Sequence, residues 1–247
     1  MDANLGQRHA LVAAMTARIP PPPLSLTLRE WPRAAVTVAR LAWRWRGLGV
    51  GQGGDGRPVM VLPGLFNSDR SNVALRGFLR RIGYDARGWG LGRNLGTRTI
   101  GAEADRLIAR VEAFAAEAAQ PVTLIGVSLG GIMARLVAHR RSDLVREVIT
   151  ISSPYAGHPH ATRVWRAFEL FTGERVDDPH VSELAAEIVR PLPVKATAIW
   201  SASDGLVAGA ACRGGDCAAI EVSSGHLGVQ LHPDVLVAVG GILARST

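Results

Sequence analysis

The segment Gly126-Val127-Ser128-Leu129-Gly130 is a G-x-S-x-G pattern, with Gly131 directly after it. It follows the apolar run Val122-Thr123-Leu124-Ile125 and precedes Ile132 to Arg141, a stretch without Gly or Pro that reads as a helix. A sharp strand-to-helix turn forces its central residue into a strained backbone and leaves that side chain exposed at the sheet edge. Flanking glycines are needed because a Cβ there would meet the opposite arm of the turn. The helix start also directs free N–H groups and the positive end of its dipole at Ser128. This setting suits a hydroxyl that attacks a carbonyl and must stabilise an oxyanion. Such a hydroxyl is a weak nucleophile until a base takes its proton, so a histidine and an acid are required elsewhere. With this turn, the expected chain order is serine, then acid, then histidine.

Of the seven histidines, His9 precedes any core and His139 lies on the helix after the turn. His226 follows the strand-like Ala219-Ile220-Glu221-Val222 in a glycine-flanked loop, Gly225-His226-Leu227-Gly228, and is the expected base. His232, before Pro233 and Asp234, reads as a helix entry. His158 and His160 follow another strand and would line the site, and His180 is a further downstream histidine. The expected acid is Asp204, which follows the strand-like Val194 to Trp200, with Gly205 marking a tight turn. It would accept the Nδ1–H of His226 and fix the tautomer. Asp177 and Asp178, in a polar stretch without a strand before it, and Asp216, between two cysteines, are rivals.

An oxyanion needs two backbone donors. One is the N–H of Leu129, directly after the serine. The other would come from the loop after the early strand Pro58 to Leu62, where Pro63-Gly64-Leu65-Phe66-Asn67 offers the N–H of Leu65 or of Phe66.

The chain resembles the α/β-hydrolases, and among them the small bacterial serine lipases and esterases, from about Arg57 onward. The resemblance rests on Leu62-Pro63-Gly64, Gly126 to Gly131, Ser203-Asp204-Gly205 and Gly225-His226-Leu227-Gly228. Many lipases have His-Gly where this chain has Pro63-Gly64, which changes the hydrogen bonding beside the oxyanion loop but not its backbone donor. The resemblance implies a mostly parallel, twisted sheet with helices on both faces and an ester-cleaving Ser128-His226-Asp204 triad. The segment Gly88-Trp89-Gly90-Leu91-Gly92-Arg93-Asn94-Leu95-Gly96 resembles the loop that shapes the substrate cleft of such lipases. Phe66, Trp89, Asn94 and Tyr155 are accordingly the expected substrate-binding residues. The stretch 155–190 sits where this fold inserts a cap. Val164, Trp165, Phe168, Leu170 and Phe171 would form a short apolar lid or a crossover helix.

The elements that must position these residues read as strands over 58–62, 84–89, 122–127, 146–151, 194–200 and 219–222. Helices read over 69–82, 101–118, 129–141 and 233–245. Strands alternating with helices predict a parallel sheet covered on both faces. The 247 residues, with 47% hydrophobic content, are enough for one catalytic domain with a full core, expected over 51–247.

Residues 1–50 read as an extension. Seven arginines stand there against Asp2 and Glu30, which supplies most of the net charge of +7. Lys195 is the single lysine, and this arginine skew does not by itself point to nucleic acid. The run Pro20 to Pro23 reads as a stiff hinge. A helix from about Arg33 to Arg46 would carry Arg33, Arg40 and Arg44 on one stripe. Val36, Val38, Leu41, Trp43 and Trp45 fill much of the rest. Such a helix would either dock on the core with its arginines in water or lie on an anionic membrane surface. The chain shows no secretory signal and no 18-residue apolar run, so cytoplasmic residence with peripheral membrane contact is the expectation. Cys212 and Cys217 have no metal-ligand spacing around them, and a disulfide between them is disfavoured in a reducing compartment. No phosphate loop or dinucleotide fingerprint occurs, and no metal or cofactor is implied. The expected partner is a small ester or lipid substrate. A thioesterase or an acyltransferase would use the same residues. A hydrolase scaffold with a vestigial triad, serving as a membrane or interaction protein, is the alternative of a different class.

Overall fold

The computed structural model describes residues 19–50, 53–157, 162–173, 175, 178–214 and 217–246, without the side chains of residues 167, 171 and 180. Six strands form one sheet: β1 (Pro58–Leu62), β2 (Asp85–Gly88), β3 (Val122–Val127), β4 (Val145–Ile151), β5 (Lys195–Trp200) and β6 (Ala218–Glu221). Their order is β2-β1-β3-β4-β5-β6, and every pairing is parallel. β1 and β3 are buried along their whole length, as strands covered on both faces must be, which is why they read as unbroken apolar runs.

Alternation along the strands divides the core in two. Val59, Val61, Ile125, Val127, Ile149 and Ile151 face one layer. Met60, Leu62, Val122, Leu124, Val145 and Val148 face the other. The chain opens with α1 (Leu24–Leu28), which reaches the loop after β5 through Thr27; α2 (Glu30–Arg44), α3 (Val73–Arg81) and, past β6, the last helix, Pro233–Ala244, lie over the first face. Over the second lie α4 (Thr97–Ile100), α5 (Asp105–Ala118), α6 (Leu129–Arg140) and, after α7 (Trp165–Thr172), α8 (Pro179–Ile188). The last helix is α9. The chain moves from β1 outward to β2 and then back past β1 to β3. The crevice between the C-terminal ends of β1 and β3 is therefore the topological switch point, where ligands of open parallel sheets bind.

The N-terminal helix differs from expectation. It begins at Glu30, with Pro32 in its first turn where a missing N–H costs nothing, and its α-helical part ends at Arg44. Leu41 and Trp45 pack on the first core layer. The Arg81 guanidinium lies 5.1 Å from the Trp45 ring and donates to the carbonyls of Trp45 and Leu48. Trp43, by contrast, is 85% exposed and Trp31 77%, while Arg33 is turned inward onto Ser203. Nor are the prolines a free hinge, since Pro22 is buried and its carbonyl accepts from Arg163 Nε at 2.7 Å. Helix 69–82 is split into a 3-10 turn (Asp69–Asn72) and α3. Helix 101–118 starts at Asp105, after Ala104 in a left-handed conformation. No described helix is long and apolar enough to cross a membrane.

Candidate active site

Ser128 is the single residue between β3 and α6, with φ 51° and ψ −121°. A side chain in that region costs on the order of 1–3 kcal/mol, so the surroundings must impose it. Ser128 N–H donates to the Ile151 carbonyl of β4 at 2.8 Å, and its own carbonyl accepts from Gly131 N–H at 2.9 Å. The glycines fit for distinct reasons. A Cβ on Gly126 would overlap the backbone of Gly130 and Gly131, the opposite arm of the turn. A Cβ on Gly130 would instead strike the Leu62 and Pro63 backbone leaving β1, and one on Gly131 would strike the Ser153 side chain. The pattern thus lets β1, β3 and β4 converge under the serine.

Asp204 and His226 stand in the loops leaving β5 and β6. His226 Nδ1 lies 2.8 Å from Asp204 Oδ2, and His226 Nε2 lies 3.2 Å from Ser128 Oγ. The other oxygen of Asp204 accepts the N–H groups of Leu206 at 2.9 Å and Val207 at 2.8 Å. A carboxylate so placed acts as acceptor, so Nδ1 carries the proton and Nε2 is left to accept from the serine. Burial of His226 works against its charged form. The charge and hydrogen bond of Asp204, with the charge of Glu30, outweigh that and hold its pKa above the ordinary histidine value.

The rival residues that the structure describes sit elsewhere. Asp178 precedes α8 and accepts from Arg175 N–H at 3.1 Å. His232 caps α9, its Nδ1 accepting from Asp234 N–H at 3.3 Å. His139 is half-buried on α6, and this partial burial, with Arg135 nearby, lowers its pKa. Asp177, Asp216, His158 and His160 lie outside the described residues, as does the side chain of His180.

The loop after β1 lies across the elbow, and a Cβ on Gly64 would sit 3.3 Å from Ser128 Cβ. Phe66 does not offer an oxyanion donor, because its N–H is committed to the Asn94 carbonyl at 2.9 Å. Leu65 N–H has no hydrogen bond among the described residues. Leu129 N–H is the first of the α6 donors that lack an acceptor within the helix. Three expected substrate contacts are corrected as well. Phe66 does not border the cavity described below. Trp89 is 0% exposed in the second core layer, with Nε1 donating to the Gly92 carbonyl at 3.1 Å. Asn94 is equally buried and serves as a strut. Its Nδ2 donates to the Pro63 carbonyl at 2.7 Å, and its Oδ1 accepts from Gly96 N–H at 3.1 Å. The glycine-rich segment sends Gly96 to that cavity and leaves Gly90, Gly92 and Arg93 exposed. Asp69 pins it by accepting the N–H groups of Trp89 and Gly90, each at 3.0 Å.

Ser128 opens into a cavity of about 210 Å³ between α6 and the helices α7 and α8. Its walls are apolar, with Leu65, Ile132, Leu136, Trp165, Phe168 and Leu184 prominent. Tyr155 borders it, and its hydroxyl accepts from Gly214 N–H at 2.9 Å and meets Cys217 Sγ at 2.8 Å. Cys212 and Cys217 are unbridged. Buried Arg135 stacks over Tyr155 and donates to the Ile188 carbonyl at 2.6 Å and the Arg190 carbonyl at 2.7 Å, which ties the end of α8 to α6. Leu170 points to solvent and takes no part in this roof.

Three residues that sequence reasoning passed over reach this site from the N-terminal helices. Glu30, 1% exposed, accepts the Gly205 N–H at 2.7 Å and the Leu227 N–H at 2.8 Å. Thr27 Oγ1 donates to the Gly205 carbonyl at 2.7 Å, and Arg33 donates to the Ser203 carbonyl and hydroxyl. The glycines flanking Asp204 and His226 were the available signal. Neither Gly205 nor Gly225 has a positive φ, so neither is required by a left-handed backbone. A Cβ on Gly205 would sit 2.5 Å from the Leu26 carbonyl oxygen, and one on Gly225 would sit 2.7 Å from Glu30 Oε2.

No family model matches the chain, and neither does any curated relative. Solved structures do. A mature Bacillus licheniformis lipase superposes with a TM-score of 0.58 at 16% identity, covering 78% of this chain and 94% of its own. A metagenome-derived lipolytic enzyme gives 0.58 at 14% identity, covering 79% and 96%. A monoacylglycerol lipase of Paleococcus ferrophilus gives 0.55 at 14%, covering 78% and 97%. The chain has the α/β-hydrolase fold.

Proposed function

We propose that this chain is a serine hydrolase that cleaves carboxylic esters with apolar acyl groups. The observation that carries the reading is the unbroken line from Asp204 Oδ2 through His226 to Ser128 Oγ, ending at an apolar cavity. The acyl chain would lie under α7 and α8, with its carbonyl carbon at Ser128. Ser128 Oγ attacks that carbon while His226 Nε2 takes the hydroxyl proton, and the N–H groups of Leu129 and Leu65 receive the developing oxyanion. The carbon–alkoxy bond then breaks, and His226 gives its proton to the departing alcohol. Water attacks the acyl-serine, passing a proton to His226. The acid leaves and the proton returns to Ser128. Asp204 holds the imidazole and stabilises its charged form throughout.

The test is labelling by a fluorophosphonate, followed by a panel of p-nitrophenyl esters of increasing acyl length. The expected result is one adduct, on Ser128, and hydrolysis that improves with acyl length until the cavity is filled. Faster turnover of acyl-thioesters would make this a thioesterase, and transfer to an added alcohol in preference to water would make it an acyltransferase. Absence of both labelling and turnover would favour the vestigial-site alternative.

A specific observation also favours contact with a lipid surface. Trp31, Val38 and Trp43 on α2, with Leu24 and Leu28 on α1, are exposed, while Arg40 and Arg46 stand at the surface among them. Tryptophan partitions to the membrane interface, and arginine complements anionic headgroups. Vesicles containing phosphatidylserine should bind the protein in a salt-sensitive manner, and Trp31→Ala with Trp43→Ala should abolish binding. Equal binding by wild type and variant would defeat this reading.

A further inference from the structure

We propose that Glu30 is a positioning residue for the Asp204–His226 pair, clamping together the two loops that carry them; this rests on the serine-hydrolase reading above. The two amides that Glu30 accepts belong to Gly205 and Leu227, each the residue directly after a member of the pair. One carboxylate thus fixes the peptide behind the acid and the peptide behind the base. The exits of β5 and β6 are already joined, Val222 N–H donating to the Trp200 carbonyl at 2.8 Å, Ser201 Oγ to the Ser224 carbonyl at 2.7 Å and Ser224 N–H back to Ser201 Oγ at 3.2 Å. Glu30 extends that stitching outward to the residues whose side chains must meet.

The neighbouring contacts act on the same loop. Thr27, Glu30 and Arg33, three residues apart, hold Gly205, Gly205 with Leu227, and Ser203 respectively. Glycine at 205 and 225 lets the helix come this close. Burying a carboxylate is costly unless its oxygens are satisfied, and here each accepts a strong charge-assisted bond. The residue type is specific, because two inward-facing N–H donors need two acceptors and a glutamine side chain supplies only one. The groups facing His226 are Asp204, Glu30 and the Ser128 hydroxyl, and Arg33 is the cation held beside them on Ser203. Removing the Glu30 charge therefore makes the imidazolium harder to form, and removing its bonds lets the two loops drift.

The experiment compares the full-length protein with Glu30→Gln and Glu30→Asp. The readouts are kcat and KM on a p-nitrophenyl ester from acid to neutral pH, and the NMR titration of the His226 imidazole. For Glu30→Gln, kcat should fall about 10- to 100-fold, the scale of a small misplacement of reacting groups, with little change in KM. The pH midpoint of kcat/KM and the His226 titration should both move to lower pH. Glu30→Asp keeps the charge and should return both midpoints toward wild type. Wild-type kcat and midpoints in Glu30→Gln would overturn the proposal. So would a fall in kcat with neither midpoint moved, which is the mark of a merely structural role. Should Glu30→Gln fail to fold, Thr27→Val and Arg33→Met each remove part of the same grip. Lowered kcat at a near-native melting temperature would support the clamp, and unchanged kcat in both would overturn it. A wild-type protein that neither hydrolyses esters nor takes the fluorophosphonate would refute the hydrolase reading instead. The NMR titration of wild type against Glu30→Gln would still decide the role of Glu30.

Discussion

The elbow that carries Ser128 is made from residues next to it in the chain and from strands beside its own. The loops that carry Asp204 and His226 are held by a helix 175 and 197 residues earlier. On the nucleophile side, glycines admit backbone to backbone, and the sheet imposes the strained φ of Ser128. On the Asp204–His226 side, Gly205 admits the Leu26 carbonyl and Gly225 the Glu30 side chain, and the ties to the helices are hydrogen bonds with Thr27, Glu30 and Arg33. The first half is as rigid as the sheet, whereas the second is only as firm as the docking of α1 and α2.

That contrast is broken most severely by removing the hydroxyl proposed as the nucleophile. Ser128→Ala should lower kcat about 10⁵- to 10⁶-fold, by analogy with other serine hydrolases, while the melting temperature stays near that of wild type. Measurable turnover near the wild-type rate would end the assignment of Ser128. Deleting residues 1–50 leaves the elbow whole but strips the support of Asp204 and His226 and uncovers the core surface under Leu41 and Trp45. Activity on soluble short-chain esters should be lost, and the protein should aggregate or melt early. A soluble truncation with an unchanged melting temperature and activity would show that the two halves are equally self-supporting.

A paired substitution sharpens the comparison. In Gly126→Ala the new methyl meets fixed backbone, so the cost should reach or exceed the roughly 1–3 kcal/mol typical of overpacking, read as a large drop in melting temperature. In Gly225→Ala it meets the end of the Glu30 side chain, which can move. Melting should change less and kcat should fall. Equal melting losses in the two would erase the distinction. The smallest effect is in the pH profile. His226 must be neutral to act as base, and its folded pKa is raised, so kcat/KM should climb with pH through a midpoint above the ordinary histidine value of about 6.5. A rate flat across that range would contradict His226 as the base.

The same contrast explains what the amino-acid sequence disclosed. Strand runs, the elbow and the residues following β5 and β6 were legible because apolar runs and turn glycines are local signals. They brought Ser128, Asp204 and His226 to one crevice. Trp89 and Asn94 were expected from the resemblance of their segment to a cleft-shaping loop, which does not show that Asp69 pins that segment and the core engulfs the indole. Phe66 misled because no local signal shows that the Asn94 carbonyl takes its amide. Glu30 was hidden among arginines on a helix whose inward face depends on contacts far along the chain. That helix turns Arg33 of its arginine stripe inward and leaves Trp31 and Trp43 bare.

The long reach of Glu30 also bears on how the molecule comes into being. Its two partners are separated from it by most of the chain, so no partial chain ending before Leu227 can complete the site. Contacts of such sequence separation pay their loop-closure entropy late and form slowly. In refolding, the elbow and its flanking strands would assemble first from nearby segments. Competence for catalysis would then return only with the last step, when α1 and α2 close over the loops of β5 and β6.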